Sequence, residues 1–278
     1  MKNRSASCPS DTGTAGIRIL HGLPGAPDRR AYDRDTDRVE EILRKEYQAG
    51  ALSSTLYLVS TPIGNYDDIT LRALNVLKGV DFIICEEFKT GNRLLRYYGF
   101  EKPLEALNEH NEASDAEVTV DRIKAGADAA LISDAGTPVL ADPGAKLVHI
   151  ALKKGVRVVP VPGASSLLSA LVVCDFDISS FHYAGFLPRK KEERVPALKR
   201  LSSLDCVTII MEAPYRFKPV IEDCLASFGR NRRAVVAVDM TMPSEQVIRG
   251  TLGEINKKFD DAPFKAEFVM VIDAPKKH

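Results

Sequence analysis

The stretch AALISDAGTPVLADPGAKLVHIALKKGVRVVPV (residues 129–161) decides the fold. It opens on a short apolar run, Ala129 to Ser133, passes through a Gly/Pro-rich segment, and continues as an amphipathic pattern from Gly144 to Lys154. It closes on a β-branched run, Val156 to Val161. A short apolar strand, a helix of about ten residues and a second β-branched strand make one βαβ unit, so the two strands lie parallel in a sheet with the helix on its face.

Working outward, the same alternation recurs. Leu56 to Ser60 and Val80 to Cys85 read as further strands. Ile69 to Leu77 (capped by Asp67 or Asp68), Gly91 to Tyr98 and Ser114 to Lys124 read as helices. Beyond Pro160-Val161-Pro162-Gly163, a stiff joint, the pattern continues as helix Ala164–Val172, strand Phe181–Ala184, helix Val195–Leu201, strand Val207–Met211, helix Phe217–Phe228 and strand Ala234–Val238. Strands Gln246–Gly250 and Glu267–Ile272 follow, with helix Leu252–Phe259 between them. The expected fold class is α/β with two α/β domains, 54–161 and 162–275. The sheet is mostly parallel in the first and mixed in the second, where the last strands follow one another with little helix between. A cleft between two rigidly joined domains is a usual place for a small-molecule site. Residues 1–50 are rich in Gly, Pro and scattered charge and are expected to be a disordered or weakly ordered extension, with one short helix at Asp37–Gln48.

Composition narrows the function. The chain has 278 residues, of which 45% are hydrophobic and 27% charged, enough apolar surface for a packed core. Lys+Arg and Asp+Glu both count 38, so nucleic acid would have to be held by a local patch rather than by bulk charge. The cysteines at 8, 85, 174, 206 and 224 show no metal-ligand spacing and read as free thiols of a reducing compartment. No apolar run is long enough to span a bilayer. There is no G-x-G-x-x-G, no P-loop and no G-x-S-x-G, which argues against NAD, ATP and a serine hydrolase.

In open α/β sheets ligands bind outside the carboxyl ends of the strands. After the first strand comes Thr61-Pro62-Ile63-Gly64-Asn65, a glycine turn that lets backbone approach a ligand. After the second comes Cys85-Glu86-Glu87-Phe88-Lys89, whose carboxylates suit a base. They suit equally the acids that a helix N-terminus attracts. The segment Ser133-Asp134-Ala135-Gly136-Thr137-Pro138 is the most informative: an acid at a strand end followed by Gly and a hydroxyl can hold an ammonium or a ribose. Asp142 with Pro143 looks like a helix N-cap. Pro162-Gly163-Ala164-Ser165-Ser166 either meets the ligand or packs the domains together. Glu212 and Arg216, four apart after a strand, either serve the site or pair with each other.

The segments LYLVSTPIGN (56–65), DITLRAL (68–74), NEHNE (108–112), SDAGTP (133–138), DPG (142–144), VVPVPG (158–163), GFLPRK (185–190) and EAPYR (212–216), in this order, resemble the ribosomal RNA small subunit methyltransferase I family, a branch of the tetrapyrrole methylase superfamily. The resemblance covers about Leu56 to Asp273. It implies two domains of tetrapyrrole methylase type, S-adenosylmethionine bound in the cleft between them, and a cytoplasmic homodimer. The implied reaction methylates the ribose 2′-OH of a cytidine in the decoding region of 16S rRNA in the small ribosomal subunit. Cofactor contacts are then expected from Pro62, Ile63, Gly64, Ser133, Asp134, Ala135, Gly136, Thr137, Pro138 and Ala164. Glu86, Glu87 and Lys89 are the candidate bases, with Asn65 and Glu212 orienting. For RNA, Arg189, Lys190, Lys191 and Arg194 open a dense basic run reaching Lys199 and Arg200, with Arg216 nearby, expected to grip phosphates. The family usually reads Glu-Asp-Thr-Arg where this chain has Glu86-Glu87-Phe88-Lys89. The alternative readings are a methylase of a tetrapyrrole or other small molecule, and a non-catalytic paralogue that binds S-adenosylmethionine or rRNA.

Overall fold

Strands β1 (Thr55–Val59), β2 (Phe82–Cys85), β3 (Leu104–Ala106), β4 (Ala129–Ile132) and β5 (Arg157–Val161) form one sheet in the order β3-β2-β4-β1-β5. Every pairing in it is parallel. The computed structural model describes residues 54–108, 110–259 and 265–275; the expected extension and the helix Asp37–Gln48 lie outside these. Helices α1 (Leu71–Gly79) and α2 (Phe88–Tyr97) cover one face of the sheet, and α3 (Glu112–Lys124) and α4 (Ala145–Lys153) cover the other.

The side chains show why. In β2, Phe82 and Ile84 enter the core beneath α3 and α4, while Ile83 and Cys85 enter the core beneath α1 and α2. Ala129 and Leu131 of β4 divide from Ala130 and Ile132 in the same way. A strand's period of two delivers alternate residues to opposite faces. A sheet buried on both faces therefore reads as an unbroken apolar run.

A second sheet holds β6 (Phe181–Gly185), β7 (Val207–Glu212), β10 (Phe268–Ile272), β8 (Arg233–Val238) and β9 (Gln246–Thr251) in that order. It is mixed: β6 and β7 run parallel, and the other three pairings are antiparallel. Helices α6 (Lys191–Ser202), α7 (Phe217–Phe228) and α8 (Leu252–Lys258) pack on one face, and α5 (Ser166–Val172) on the other. Within the described residues no helix is long and apolar enough to cross a membrane.

Differences from the sequence reading are local. Strand β3 was not expected; at three residues, Leu-Glu-Ala, it is too short to show a period. Helix α1 is capped by Thr70, whose hydroxyl accepts from Ala73 N–H at 3.1 Å. Asp67 and Asp68, the expected caps, instead form a 3₁₀ turn with Tyr66, itself capped by the Asn65 side chain. Helix α6 begins a turn earlier than Val195 and carries Pro196 in its interior. Among the described cysteines, Cys85 and Cys224 are buried and all are free; burial pushes the Cys85 thiol up to about 11, so it stays protonated.

Candidate functional site at the carboxyl edge of the parallel sheet

The loops that leave β1, β4 and β5 are fastened to one another. Beyond the end of β1, Ser60 N–H donates to Val161 O at 3.2 Å, and Thr61 and Gly136 form an isolated antiparallel bridge. The Thr61 hydroxyl donates to Ser133 O at 2.9 Å, and the Thr137 hydroxyl to Ala164 O at 3.4 Å. Gly136 has φ of +86°, a conformation glycine adopts without steric cost. Gly163 lies against β1 so closely that a Cβ there would stand 2.9 Å from that of Ser60. Ala164 and Thr137 are therefore held together, and Pro138 is buried behind them.

Ser133 organises the β4 loop. Its hydroxyl accepts from Ala135 N–H at 3.2 Å and donates to the Asp142 carboxylate. Asp142 consequently does not cap α4, as Asp-Pro suggested. That helix starts at Ala145 after Gly144, with φ of +121°, and the Glu112 carboxylate takes the N–H groups of Gly144, Lys146 and Leu147 at 3.0, 2.8 and 3.3 Å. A full negative charge at a helix N-terminus meets its unpaired donors and its dipole together. Glu112 closes the NEHNE segment, which gives that segment a structural role.

Asp134 sits half-buried beside α2. It accepts from the Thr90 hydroxyl and the Glu87 N–H. Its carboxyl is raised above the ordinary range, first by burial and then by the Glu87 carboxylate, with Arg93 pulling the other way. A cavity of about 340 Å³ opens here, lined among others by Pro62, Ile63, Gly64, Ser133, Asp134 and Ala135. Its far wall is Tyr66, Thr90, Arg93 and Leu94. The candidate bases Glu86, Glu87 and Lys89 are not among its lining residues. Helix α2 begins at Phe88 rather than Gly91, so Glu87 becomes its N-cap and the side chains at 90, 93 and 94 turn inward instead. Asn65 is likewise withdrawn: its Oδ1 accepts from Asp67 N–H at 3.0 Å.

The second sheet closes the site. The loop after β8 brings Met240, Thr241 and Met242 against Gly64, where a Cβ would stand 2.6 Å from Met242 Cγ and 2.9 Å from Thr241 Oγ1. Asn65 N–H donates to Thr241 Oγ1 at 3.0 Å. On the other side of Ile63 and Met242 lies a second cavity, of about 230 Å³, walled by Phe186, Met211, Ala237, Met240 and Val269 and edged by Ser166, Glu212, Asp239 and Glu267. Burial, and secondarily Asp239, raises the Glu267 carboxyl.

Two of the expected phosphate-gripping arginines are committed elsewhere. Arg194 is buried: its Nε donates to Asp223 Oδ2 at 2.8 Å, and it also donates to Pro188 O and Arg189 O at 3.3 and 2.8 Å. Arg216 donates to Leu187 O at 3.0 Å and Pro188 O at 2.9 Å, and stands 2.8 Å from Glu212 Oε2, whose carboxylate also accepts from Leu187 N–H. Glu212 and Arg216 are thus the internal pair, and both arginines hold the turn at 187–189. Both guanidiniums are buried and turned onto the protein's own oxygens, away from the surface where a phosphate would lie. Arg189, Lys190 and Lys191, which that turn presents, are exposed.

Sequence reasoning missed Tyr66, Thr90, Arg93, Met211, Met240 and Met242. The spacing of Thr90, Arg93 and Leu94 on one helical face was the available signal, hidden by starting the helix at Gly91. The methionines carry no local signal, since they come together only where the two sheets meet.

A carboxylate and glycine-lined loops at the end of a parallel sheet, closed by a second mixed sheet, define a two-domain α/β protein with a binding site at the carboxyl edge of its parallel sheet. The family model for tetrapyrrole (corrin/porphyrin) methylases matches residues 55–256. The ribosomal RNA small subunit methyltransferase I of Halalkalibacterium halodurans is 36% identical over 230 residues, covering 83% of this chain and 79% of that protein. That of Xylella fastidiosa is 40% identical over 220 residues, covering 78% and 81%. The crystal structure of diphthine synthase superposes with a TM-score of 0.65 at 19% identity, covering 81% of this chain and 91% of that one. The chain belongs to the tetrapyrrole methylase family and, within it, to the ribosomal RNA small subunit methyltransferase I family.

Proposed function

We propose that this protein is an S-adenosylmethionine-dependent methyltransferase that modifies ribosomal RNA of the small subunit, at the ribose 2′-OH of a cytidine in the decoding region of 16S rRNA. The observation that carries the reading is the fastening of Thr61–Gly64 to Ser133–Thr137 around the half-buried Asp134, under a lid of Met240–Met242. The relatives at 36–40% identity supply the substrate class.

The residues present fit the cofactor. The glycines at 64 and 163 let the site's loops pack directly on Met242 and Ser60, where a Cβ would collide, Gly136 supplies the left-handed turn beside them, Asp134 offers a carboxylate to a cationic ligand, and the methionine-lined cavity offers an apolar wall to a flat ring. In this reading Pro62, Ile63, Gly64, Asp134, Ala135 and Thr137 hold the cofactor on the first-sheet side, with Ala164, Met211 and Met240 on the other. When bound, S-adenosylmethionine supplies a methyl group activated on a sulfonium. The protein aligns the acceptor hydroxyl, and alignment of this kind supplies up to roughly 7–11 kcal/mol in ideal cases. None of the candidate bases Glu86, Glu87 and Lys89 lines the cavity, and a base must reach the proton it takes, so the acceptor of the hydroxyl proton is not assigned to them. Arg189, Lys190 and Lys191 take RNA phosphates. The resemblance adds a homodimer working in the cytoplasm.

The test is methyl transfer from labelled S-adenosylmethionine to small subunits lacking the modification, followed by mapping of the labelled nucleotide. Label on a 16S cytidine ribose is expected. Label in no rRNA nucleotide, with cofactor binding intact, overturns the reading.

A further inference from the structure

Helix α2 carries Lys89, Arg93 and Arg96 and no acid. Thr90, Arg93 and Tyr97 follow at spacings of three and four, so they share one face, and the first two line the cavity beside Asp134. At the end of that face the Tyr97 ring stacks on Tyr66, centroids 4.3 Å apart and planes 29° from parallel. Tyr66 itself lines the cavity. Tyr98 sets its edge against Tyr97 at 5.1 Å and donates its phenol to the Tyr66 carbonyl, which fixes the pair. Burial pushes the Tyr98 phenol up to about 12, so this donor persists at working pH.

An aromatic ring on a surface normally turns its apolar faces inward. Tyr97 remains 58% exposed although its neighbours hold it in place. Two near-parallel rings at the mouth of a cavity, flanked by cations on the same helix, match the way single-stranded nucleic acid is held: rings stack bases and arginines take the backbone. Asp67 and Asp68 beside Tyr66 disfavour phosphate at the rings themselves and leave that contact to the α2 arginines.

We propose that Tyr66 and Tyr97 form a stacking platform for an unpaired base of the RNA substrate, with Arg93 and Arg96 holding the adjoining phosphates. The proposal rests on the RNA reading above and adds a second RNA-holding element, on the first sheet's side of the site, to the run at 189–191.

The chain has no tryptophan, so a fluorescent base reports without interference. Single-stranded oligoribonucleotides carrying 2-aminopurine at successive positions would be titrated with the full chain. Quenching is expected with the natural protein and with Tyr97→Phe. Tyr97→Ala should lose most of it and bind roughly tenfold more weakly or worse, at unchanged S-adenosylmethionine affinity. Arg93→Gln should lower the slope of log K against log salt by about 0.7. No quenching with the natural protein, or equal quenching with Tyr97→Ala, overturns the platform; an unchanged salt slope overturns the arginine assignment. A thermal melt of Tyr97→Ala separates loss of stacking from loss of fold, and Tyr97→Leu, read the same way, serves if Tyr97→Ala is unfolded. Quenching retained by a protein that methylates no rRNA would overturn the functional reading while leaving the platform standing.

Discussion

Thr61 and Gly136 exchange both backbone hydrogen bonds, Thr61 N–H to Gly136 O at 2.9 Å and Gly136 N–H to Thr61 O at 3.1 Å. That single bridge joins the loops of two neighbouring parallel strands beyond the point where the sheet ends, and it makes the floor of the site one rigid piece. It depends on a left-handed residue at 136.

Gly136→Ala should therefore open the floor. The φ of +86° costs an L-residue about 1–2 kcal/mol, and the new methyl would stand 3.1 Å from Ile63 Cγ2. Calorimetric titration with S-adenosylmethionine should show affinity lower by about tenfold or more, with a modest fall in Tm. Unchanged affinity would mean the bridge does not shape the cofactor site.

Asp134→Asn separates stability from binding. The folded carboxyl is raised by burial and by Glu87, so between its unfolded and folded values the native state holds more protons, and stability falls as pH rises through that window. Removing the charge should raise the melting temperature of the ligand-free protein at pH 7. Affinity for a cationic ligand, conversely, should grow with pH in the natural protein as Asp134 ionises, and lie lower and flatter in the variant. Parallel pH profiles in the two proteins would remove Asp134 from the cofactor site.

Arg216→Ala and Arg189→Ala should behave as opposites. The first strands the buried Glu212 carboxylate, a loss of roughly 3–5 kcal/mol measurable by urea unfolding. The second lies on the surface and should change stability by less than about 0.5 kcal/mol. It should weaken RNA binding and reduce its salt slope by about 0.7. If Arg189→Ala leaves RNA binding and its salt slope intact, phosphate is gripped elsewhere.

Glu112→Ala should cost about 1–2 kcal/mol, because three N–H groups at the start of α4 lose their acceptor. Hydrogen exchange at Lys146 and Leu147 should accelerate before the rest of the sheet. Uniform protection would show that the helix end finds other partners.

Most elements were legible because both sheets are buried on two faces: continuous runs such as Phe82–Cys85 and Ala129–Ile132 leave little choice but a covered parallel strand. The Ser133–Thr137 and Pro62–Gly64 loops stood out for a similar reason, since glycine, proline and an acid at a strand end are local signals. Arg194 and Arg216 misled, because a basic residue reads the same in sequence whether solvent or a buried carboxylate receives it.

The strand–helix alternation from 55 to 161, the mixed sheet after it and the glycine turns at the carboxyl edge of the first sheet were determined by the sequence alone, through side-chain period and backbone freedom. Which charges remain available was decided by the tertiary structure. Burial beside Glu212 and Asp223 spent two arginines on holding the 187–189 turn, the start of α2 at Phe88 brought Thr90 and Arg93 to the cavity in place of Glu86 and Lys89, and packing of α2 against residues 66–68 set Tyr97 on Tyr66. These outcomes depend on long-range contact and desolvation, to which no local pattern of residues corresponds.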